Sequence, residues 1–247
     1  MFVEKTDSTN TLLKELIAKG EWPEGERYLR TDYQTAGRGQ SGNGWESEPH
    51  KNLLCSIPFF HHTADIRQPF YLNVLVAVAV QQLLGEPFTI KWPNDIYYKD
   101  KKIAGILIEN VILGNEIKYS IAGIGLNINQ TRWFSDAPNP TSLKRVTARE
   151  WNIDKIMNVL LRELDAVMAM PEQEVWKYYK AHLFRSEGWW PFVEREVTTA
   201  PTMNASSQTQ GIFWSKINDV MPTGEIVLED QQGKVHTYHF KQIRYVV

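Results

Sequence analysis

The first segment whose residues could do chemistry is a glycine-rich loop that carries one arginine, Gly37-Arg38-Gly39-Gln40-Ser41-Gly42-Asn43-Gly44-Trp45. Its G-x-G-x-x-G spacing invites a dinucleotide-binding interpretation, which requires the glycines to open a helix whose amides meet a pyrophosphate. Here the loop runs into Glu46-Ser47-Glu48-Pro49, a poor helix start, and no Walker lysine–hydroxyl pair follows. Both nucleotide motifs are therefore rejected. The loop could still wrap an anion with its backbone amides and the Arg38 guanidinium, and a flexible surface loop is an equally good interpretation.

Two further segments could bring polar groups to a cleft. Lys91-Trp92-Pro93-Asn94-Asp95 joins a lysine to a proline-fixed turn, and Lys101-Lys102-Ile103-Ala104-Gly105 follows it. An ordinary hairpin with solvated lysines is the better interpretation of this pair alone. In Ala122-Gly123-Ile124-Gly125-Leu126-Asn127, glycines interrupt an apolar strand, which usually marks a bulge or a close approach by another group. Tight packing against a helix is the simpler explanation there.

The elements that must position these segments follow from hydrophobic periodicity and from start and stop signals. An amphipathic helix is predicted over residues 9–19, starting among Ser8, Thr9 and Asn10 and ending at Gly20, and an apolar run predicts a buried helix over 69–84. Further helices are predicted over 153–168 and 172–183. Strands are predicted over 27–35, 53–60, 89–92 and 117–128, with a hairpin of 96–98 and 103–110 and a turn at Gly114-Asn115.

The chain changes character after Gly188, where short β-like runs alternate with turns. Ile226-Val227-Leu228 and residues 235–240 are predicted to pair as strands. We therefore predict two domains: residues 1–188, and a small all-β domain of residues 189–247.

Composition excludes some classes of protein. Hydrophobic residues make up 43% and charged residues 23% of the 247, which is ordinary globular usage. A net charge of −2 with interspersed signs gives no argument for binding DNA or RNA. Cys55 is the only cysteine, which excludes an internal disulfide and a Cys-based zinc site. The apolar run over 74–80 is too short to span a bilayer, and no signal peptide opens the chain, so a cytoplasmic location is expected.

The order and spacing of five motifs resemble the biotin protein ligase family from residue 6 to about residue 130. The motifs are Asp7-Ser8-Thr9-Asn10-Thr11, Gln34-Thr35-Ala36-Gly37-Arg38-Gly39, Lys91-Trp92-Pro93-Asn94-Asp95, Lys102-Ile103-Ala104-Gly105-Ile106 and Gly125-Leu126-Asn127. They are specific as a set and weak individually. The resemblance implies an α+β fold: a mixed β-sheet flanked by helices, similar to the class II aminoacyl-tRNA synthetases. The end of the chain, Gln242-Ile243-Arg244-Tyr245-Val246-Val247, resembles the family's small C-terminal SH3-like β-barrel.

Two features depart from the family pattern. The first catalytic motif begins at residue 7, so the N-terminal DNA-binding domain of the repressor-type members is not expected, and neither is a DNA partner. The family's arginine-rich loop here has Gln40, Ser41 and Asn43 after the second glycine. The loss of guanidinium groups there bears on how tightly an activated intermediate is held, while Arg38 still matches.

The resemblance implies a two-step reaction that consumes biotin and ATP, with Mg²⁺, and forms biotinyl-5′-AMP before biotin passes to a lysine. It implies catalytic roles for Lys102, Arg38 and Asp95, with Lys102 reaching the carboxylate and the α-phosphate. The implied biotin-binding residues are Ser8, Thr9, Asn10, Gln34, Arg38, Gly39, Gln40, Lys102, Gly105 and Gly123. Those implied for ATP or the adenylate are Arg38, Gln40, Trp45, Asn94, Lys102 and Asn127. No metal ligands are assigned.

The implied acceptor is a biotin carrier protein domain of a biotin-dependent carboxylase, with no membrane partner. A lipoate or octanoate ligase is the nearest alternative, since it uses similar adenylate chemistry. The Ser-Thr-Asn edge favours biotin because lipoate has no ureido group to satisfy. A non-catalytic biotin sensor is the second alternative.

Overall fold

Two β-sheets organise the residues that the computed structural model describes, which are 1–60, 69–114, 116–135, 137, 139–195 and 211–246. The strands are β1 (Phe2–Thr6), β2 (Leu29–Gln34), β3 (Leu53–Phe60), β4 (Phe88–Lys91), β5 (Asp95–Tyr98), β6 (Lys101–Leu113), β7 (Glu116–Leu126), β8 (Trp190–Glu194), β9 (Phe213–Val220), β10 (Ile226–Asp230), β11 (Val235–Tyr238) and β12 (Ile243–Tyr245). The helices are α1 (Thr9–Lys19), α2 (Tyr71–Leu84), α3 (Leu143–Thr147), α4 (Ile153–Met168) and α5 (Glu172–Ala181), and a 3-10 turn covers Gln40–Gly42.

The larger sheet is mixed and has the strand order β1-β2-β3-β7-β6-β5-β4. Its single parallel pair is β1 with β2, and every other neighbouring pair is antiparallel. The predicted mixed sheet flanked by helices is therefore confirmed. Strand β7 separates the two faces, because side chains alternate along a strand. Ala122, Ile124 and Leu126 join the main core, whereas Tyr119 and Ile121 pack on the opposite face.

Helix α2 covers the main-core face of this sheet. Its residues from Val74 to Gln81 are all buried, which its apolar composition on every side requires. Helix α4 packs against α2 through a single face that includes Ile156, Leu160 and Leu164. The buried helix predicted over 69–84 and the helix predicted over 153–168 are both confirmed.

Helix α1 covers the opposite face, where Leu13 packs against Leu29, Tyr119 and Ile121. The first turn of this helix approaches the sheet closely over Gly123 of β7. A Cβ atom at Gly123 would lie 2.9 Å from the Asn10 Cγ, so a larger residue there would displace the helix. Packing against a helix is thus the observed reason for this strand glycine.

The smaller sheet is antiparallel and has the order β11-β10-β9-β8-β12. The predicted pairing of β10 with β11 is confirmed, with Ile226 opposite Tyr238. Strands β11 and β12 are its edges, so over the described part of the chain the sheet is not closed into a barrel.

The smaller sheet is attached to the larger one by specific contacts. Arg185 donates a hydrogen bond of 2.8 Å to the Val246 carbonyl, and the Trp92 indole donates one of 3.0 Å to the Gly224 carbonyl. The rings of Phe184 and Tyr245 lie 5.8 Å apart. These contacts hold the β12 end of the smaller sheet beside the turn between β4 and β5.

Some elements differ from the sequence-based predictions. Strand β1 was not predicted, because its mostly exposed residues form no apolar run and it is an edge strand. The short helix α3 was also missed, although its N-cap Ser142 accepts a hydrogen bond from the Arg145 amide. The predicted helix over 172–183 ends at Ala181, and Asn115 lies outside the described residues. No helix in the described ranges has the length and apolar character that crossing a bilayer requires.

Replacing Gly123 with alanine tests the close approach of α1. Gly123→Ala should lower the free energy of unfolding by about 1–3 kcal/mol, because the new methyl group overlaps the Asn10 carboxamide. Urea unfolding of the ligand-free protein measures this change. Gly44→Ala is the matched control, since the nearest atom to its Cβ, the Gly37 carbonyl oxygen, is 3.9 Å away. Equal stability of the two variants would contradict the prediction.

Candidate active site

A cavity of about 210 Å³ opens on the α1 face of the larger sheet, and it gathers nearly all of the predicted site residues. Its walls are the start of α1, the glycine loop, the β4–β5 turn, strands β6 and β7, and the β12 end of the smaller sheet. The predicted site residues that line it are Ser8, Thr9, Asn10, Gln34, Arg38, Gly39, Gln40, Trp45, Asn94, Asp95, Lys102, Gly105 and Gly123.

The glycine loop folds back on itself as a small hairpin. The Gly39 amide donates to the Asn43 carbonyl at 2.7 Å, and the Trp45 amide donates to the Gly37 carbonyl at 2.8 Å. No helix follows the glycines, as the sequence analysis expected when it rejected the dinucleotide motif. The hairpin carries Arg38 and Gln40 to one wall of the cavity.

Trp45 lies flat against a strip of the sheet that has no side chains. Gly105 of β6 and Gly125 of β7 are register partners, and a Cβ on either would collide with the Trp45 indole, at 2.9 Å and 2.7 Å. The indole Nε1 is buried and has no hydrogen-bond partner among the described residues. The Lys102 ammonium lies 5.5 Å from the centre of the same ring. This tryptophan therefore joins the glycine loop to the strand that carries the predicted catalytic lysine.

The start of α1 is fixed by side chains from two strands. Gln34 of β2 accepts a hydrogen bond from the Thr9 amide through Oε1 at 2.8 Å, and so satisfies one of the free amides of the first helical turn. The Ser56 hydroxyl of β3 lies 2.7 Å from Thr9 Oγ1 and 2.5 Å from Asn10 Oδ1. Ser8 is the N-cap residue, yet its side chain makes no capping bond.

These contacts determine which hydrogen-bonding groups remain for a ligand. Asn10 Nδ2 donates to Glu109 Oε2 at 2.7 Å and to the Leu107 carbonyl at 3.4 Å, while Oδ1 accepts from the Ser56 hydroxyl at 2.5 Å and keeps one lone pair that can accept again. Gln34 Oε1 is committed to α1, which leaves its Nε2 as a donor. The cavity edge therefore presents one amide acceptor and one amide donor, with the Ser8 hydroxyl beside them.

The charged side chains that line the cavity are mostly cationic. Lys102 pairs with Asp95 at 2.7 Å, and Arg38 pairs with Glu109 at 2.8 Å. Asp95 is the one carboxylate among the described residues that line the cavity, whereas Arg38, Lys91, Lys102 and Arg244 all line it. Such a cluster of cations favours a strongly anionic ligand.

Lys91 begins one of the five motifs, but its type and position in the sequence indicate no role for it. Its ammonium donates a 2.9 Å hydrogen bond to the Tyr97 hydroxyl and lies 5.3 Å from the Tyr245 ring centre. Burial lowers the pKa of Lys91 to about 8; Asp95 opposes this, and nearby cations such as Lys102 and Arg244 add to it. This lysine therefore changes charge close to neutral pH.

The smaller sheet supplies a wall that sequence reasoning did not assign to the site, formed by Phe240, Ile243, Arg244 and Tyr245. These residues lie more than a hundred positions from the catalytic motifs, and their contribution depends on how the two sheets dock. The end of the chain was predicted as a domain only, and its aromatic and basic residues gave no signal of a site.

Asn127 differs from the other predicted residues because it does not line the cavity. Its backbone amide donates to the Ile103 carbonyl at 2.9 Å, and its carbonyl accepts from the Leu143 amide at 3.1 Å. Its Oδ1 is buried and has no hydrogen-bond partner in the described part of the chain. Asn94 does line the cavity, and its amide nitrogen is bonded to the Ile106 carbonyl.

Residues 2–127 match the family model described as the Biotin/lipoate A/B protein ligase family. The match extends over about half of the 247 residues, so the chain belongs to this family. The fold and the cavity described above thus belong to a biotin/lipoate ligase family member.

Curated relatives carry more specific names. The chain is 32% identical over 176 residues to the "Bifunctional ligase/repressor BirA" of Escherichia coli K12, with 68% of this chain and 53% of that protein aligned. It is 30% identical to the "Biotin--[acetyl-CoA-carboxylase] ligase" of Mycobacterium tuberculosis, with 66% of this chain and 62% of that protein aligned. The chain therefore spans about half to three fifths of the length of the curated relatives it matches.

Solved structures share the fold over nearly the whole chain. The biotin protein ligase of Aquifex aeolicus in complex with biotin and ATP superposes with a TM-score of 0.74 at 21% identity, covering 99% of this chain and 98% of that one. The biotin acetyl coenzyme A carboxylase synthetase of Helicobacter pylori superposes with a TM-score of 0.64 at 20% identity, covering 96% and 98%. At these identities the likeness is one of fold.

The lowered pKa of Lys91 predicts a pH dependence for anion binding. Above pH 8 the neutral amine attracts an anion less, so the Kd for sulfate, whose charge is constant over this range, should rise about ten-fold between pH 7 and pH 9. Lys91→Arg should remove most of this dependence, because a guanidinium stays charged over that range. Isothermal titration calorimetry at both pH values measures it. The same pH dependence in the two proteins would show that another group is responsible.

Proposed function

We propose that this protein activates biotin with ATP to give biotinyl-5′-AMP and then transfers biotin to a lysine of a biotin carrier protein domain. The observation that carries the proposal is that one cavity brings together a pair of amide groups, Gln34 Nε2 and Asn10 Oδ1, and the cations Arg38 and Lys102.

The polar edge suits a urea. The ureido ring of biotin has one carbonyl that accepts hydrogen bonds and two N–H groups that donate them. Gln34 Nε2 would donate to the carbonyl, and Asn10 Oδ1 would accept from an N–H group, with the Ser8 and Thr9 hydroxyls beside them. The Trp45 indole and the Asn10 carboxamide occupy the space above Gly105 and Gly123 in this structure, so these two glycines are proposed to bind biotin on the family pattern alone.

The cations that line the cavity suit the activation step. A carboxylate oxygen of biotin attacks the α-phosphorus of ATP, the new P–O bond forms, and the bond to the β-phosphate breaks to release pyrophosphate. Two anions must meet, so Lys102 and Arg38 would neutralise the carboxylate and the α-phosphate. Asp95 holds Lys102 in place at 2.7 Å. Gly39, Gln40, Trp45, Asn94 and Asn127 are proposed to bind biotin or the adenylate on the family pattern alone.

In the second step the acceptor amine attacks the carbonyl carbon of the adenylate, an amide bond forms, and AMP leaves with the bonding electrons. The amine must also lose a proton, and we propose Asp95 to accept it. The name of the M. tuberculosis relative supports a biotin carrier domain of a biotin-dependent carboxylase as the acceptor. A reaction that consumes ATP also fits a cytoplasmic location.

Mg²⁺ would arrive with ATP and would neutralise phosphate charge. No group of three or more His, Cys, Asp or Glu that could hold a metal occurs among the described residues. Mg²⁺ is an ion that proteins commonly hold through one or two carboxylates, while phosphates and water supply the other ligands. Asp95 is the carboxylate available within the cavity.

We further propose that residues 1–188 form the catalytic domain and residues 189–247 a small SH3-like domain. The change from the mixed sheet to the antiparallel sheet near Trp190 supports this boundary. A lipoate or octanoate ligase fits less well, because those acids leave the amide groups of Gln34 and Asn10 without partners. A non-catalytic sensor fits less well because binding biotin without activating it does not require the cations that line the cavity.

Mass spectrometry of the acyl-adenylate tests the proposed reaction. Wild-type protein mixed with MgATP should form biotinyl-AMP with biotin and no adenylate with lipoate. Lys102→Ala should lower adenylate formation at least 100-fold, in line with losing one transition-state donor. Lys101→Ala is the matched control, since Lys101 is an exposed lysine outside the cavity. Lipoyl-AMP, or equal turnover of the two variants, would refute the assignment.

The urea contact has its own test. Gln34→Glu keeps an oxygen to accept from the Thr9 amide but replaces the Nε2 donor with a second carboxylate oxygen, which repels the ureido carbonyl. The Kd for biotin should rise about 100-fold, because a buried polar contact is replaced by an unpaired one. Calorimetry with biotin measures this, and the melting temperature reports whether α1 is still capped. A Kd within two-fold of wild type would contradict the contact.

A further inference from the structure

One carboxylate outside the predicted site contacts two of the predicted residues. Glu109 of β6 accepts hydrogen bonds through the same oxygen, Oε2, from Asn10 Nδ2 at 2.7 Å and from Arg38 Nη2 at 2.8 Å. Asn10 supplies an amide group and Arg38 a cation to the cavity lining, while Glu109 itself does not line the cavity.

Strand geometry explains why Glu109 reaches both groups. Alternation along β6 puts Gly105, Leu107 and Glu109 on the α1 face. Their partners on β7 are Gly125, Gly123 and Ile121, so the carboxylate emerges just beyond the glycines that let Asn10 approach the sheet. The carboxylate is about one-third exposed, at 29%, and it projects from a central strand of the larger sheet.

The two contacts have different chemical requirements. Asn10 needs only an acceptor for its Nδ2, and this contact, together with the Ser56 hydroxyl that donates to Oδ1, fixes the orientation of the carboxamide. Arg38 lies in the glycine hairpin with 45% of its side chain exposed, and its pairing with Glu109 depends on negative charge. Only Nη2 is used, so Nε and Nη1 remain to meet phosphate oxygens in a two-pronged contact.

We propose that Glu109 is a positioning residue that fixes the Asn10 amide and the Arg38 guanidinium together through one carboxylate oxygen. By holding the arginine of a glycine-rich hairpin to a strand, it orders that cation before the phosphates arrive. This inference rests on the proposed function for its kinetic consequences, but the contact with the hairpin exists without any ligand.

Two variants of Glu109 separate the two contacts. Glu109→Gln keeps an acceptor for Asn10 and removes the charge that pairs with Arg38, so the KM for ATP should rise about ten-fold while the KM for biotin stays within two-fold. Glu109→Ala removes both contacts, so both KM values should rise at least five-fold. An equal rise of both KM values in Glu109→Gln would overturn the proposal, whereas partial unfolding would lower the apparent kcat and leave both KM values unchanged.

A double-mutant cycle tests whether Glu109 acts through Arg38. Arg38→Ala alone should lower kcat/KM for ATP strongly, and adding Glu109→Gln should then cost less than two-fold. Fully additive losses would overturn the proposal. Glu116→Gln, an exposed carboxylate on the neighbouring strand β7, is the matched control and should leave all parameters unchanged.

Hydrogen–deuterium exchange of the ligand-free protein tests the contact between Glu109 and the glycine hairpin independently of the proposed function. The peptide over residues 37–45 should exchange at least five-fold faster in Glu109→Gln than in wild type or Glu116→Gln. Unchanged exchange would overturn the proposed contact. If the wild-type protein forms no adenylate, the proposed function fails, whereas the exchange result still decides the role of Glu109.

Discussion

The close approach of side chains to bare backbone on β6 and β7 is the constraint on which the site depends. Gly105, Gly123 and Gly125 share the α1 face, and the indole of Trp45 and the carboxamide of Asn10 occupy the space that Cβ atoms would need. The residues between these glycines point to the opposite face and fill the main core. One pair of strands therefore contributes both to the site and to the core, because alternating side chains point to opposite faces of the sheet.

Charge is divided unequally across this arrangement. The cations that line the cavity come from the glycine hairpin, the β4–β5 region, β6 and β12, so no single segment creates its positive charge. Asp95 and Glu109 each pair with one of them, at 2.7 Å and 2.8 Å, and hold the cations apart. Mutual repulsion among the cations is thereby reduced in the ligand-free protein, and an anionic ligand meets groups that are already oriented.

Local patterns predicted most of the fold. The periodicities of α1 and α4 and the apolar runs of α2 and β3 were sufficient, since each depends on its own residues. Strand β1 could not be predicted, because its stability comes from pairing with β2, a long-range contact. In the site, motif residues such as Lys102 and Arg38 were identified through family resemblance, whereas Glu109 and Arg244 were not. Their roles depend on strand alternation and on docking of the second sheet, which no short motif encodes.

The docked position of the smaller sheet has an electrostatic effect on Lys91 of the larger sheet. Tyr245 covers the Lys91 ammonium, and the cost of removing that ammonium from water is the main cause of its low pKa. The smaller sheet thus excludes water from Lys91, and this limits how far solvent screens the charges of the cavity. Any movement that lifts β12 away would rehydrate Lys91, raise its pKa and let water screen the charges of the cavity. The strength of the field in the site is in this way a property of the interface between the two sheets.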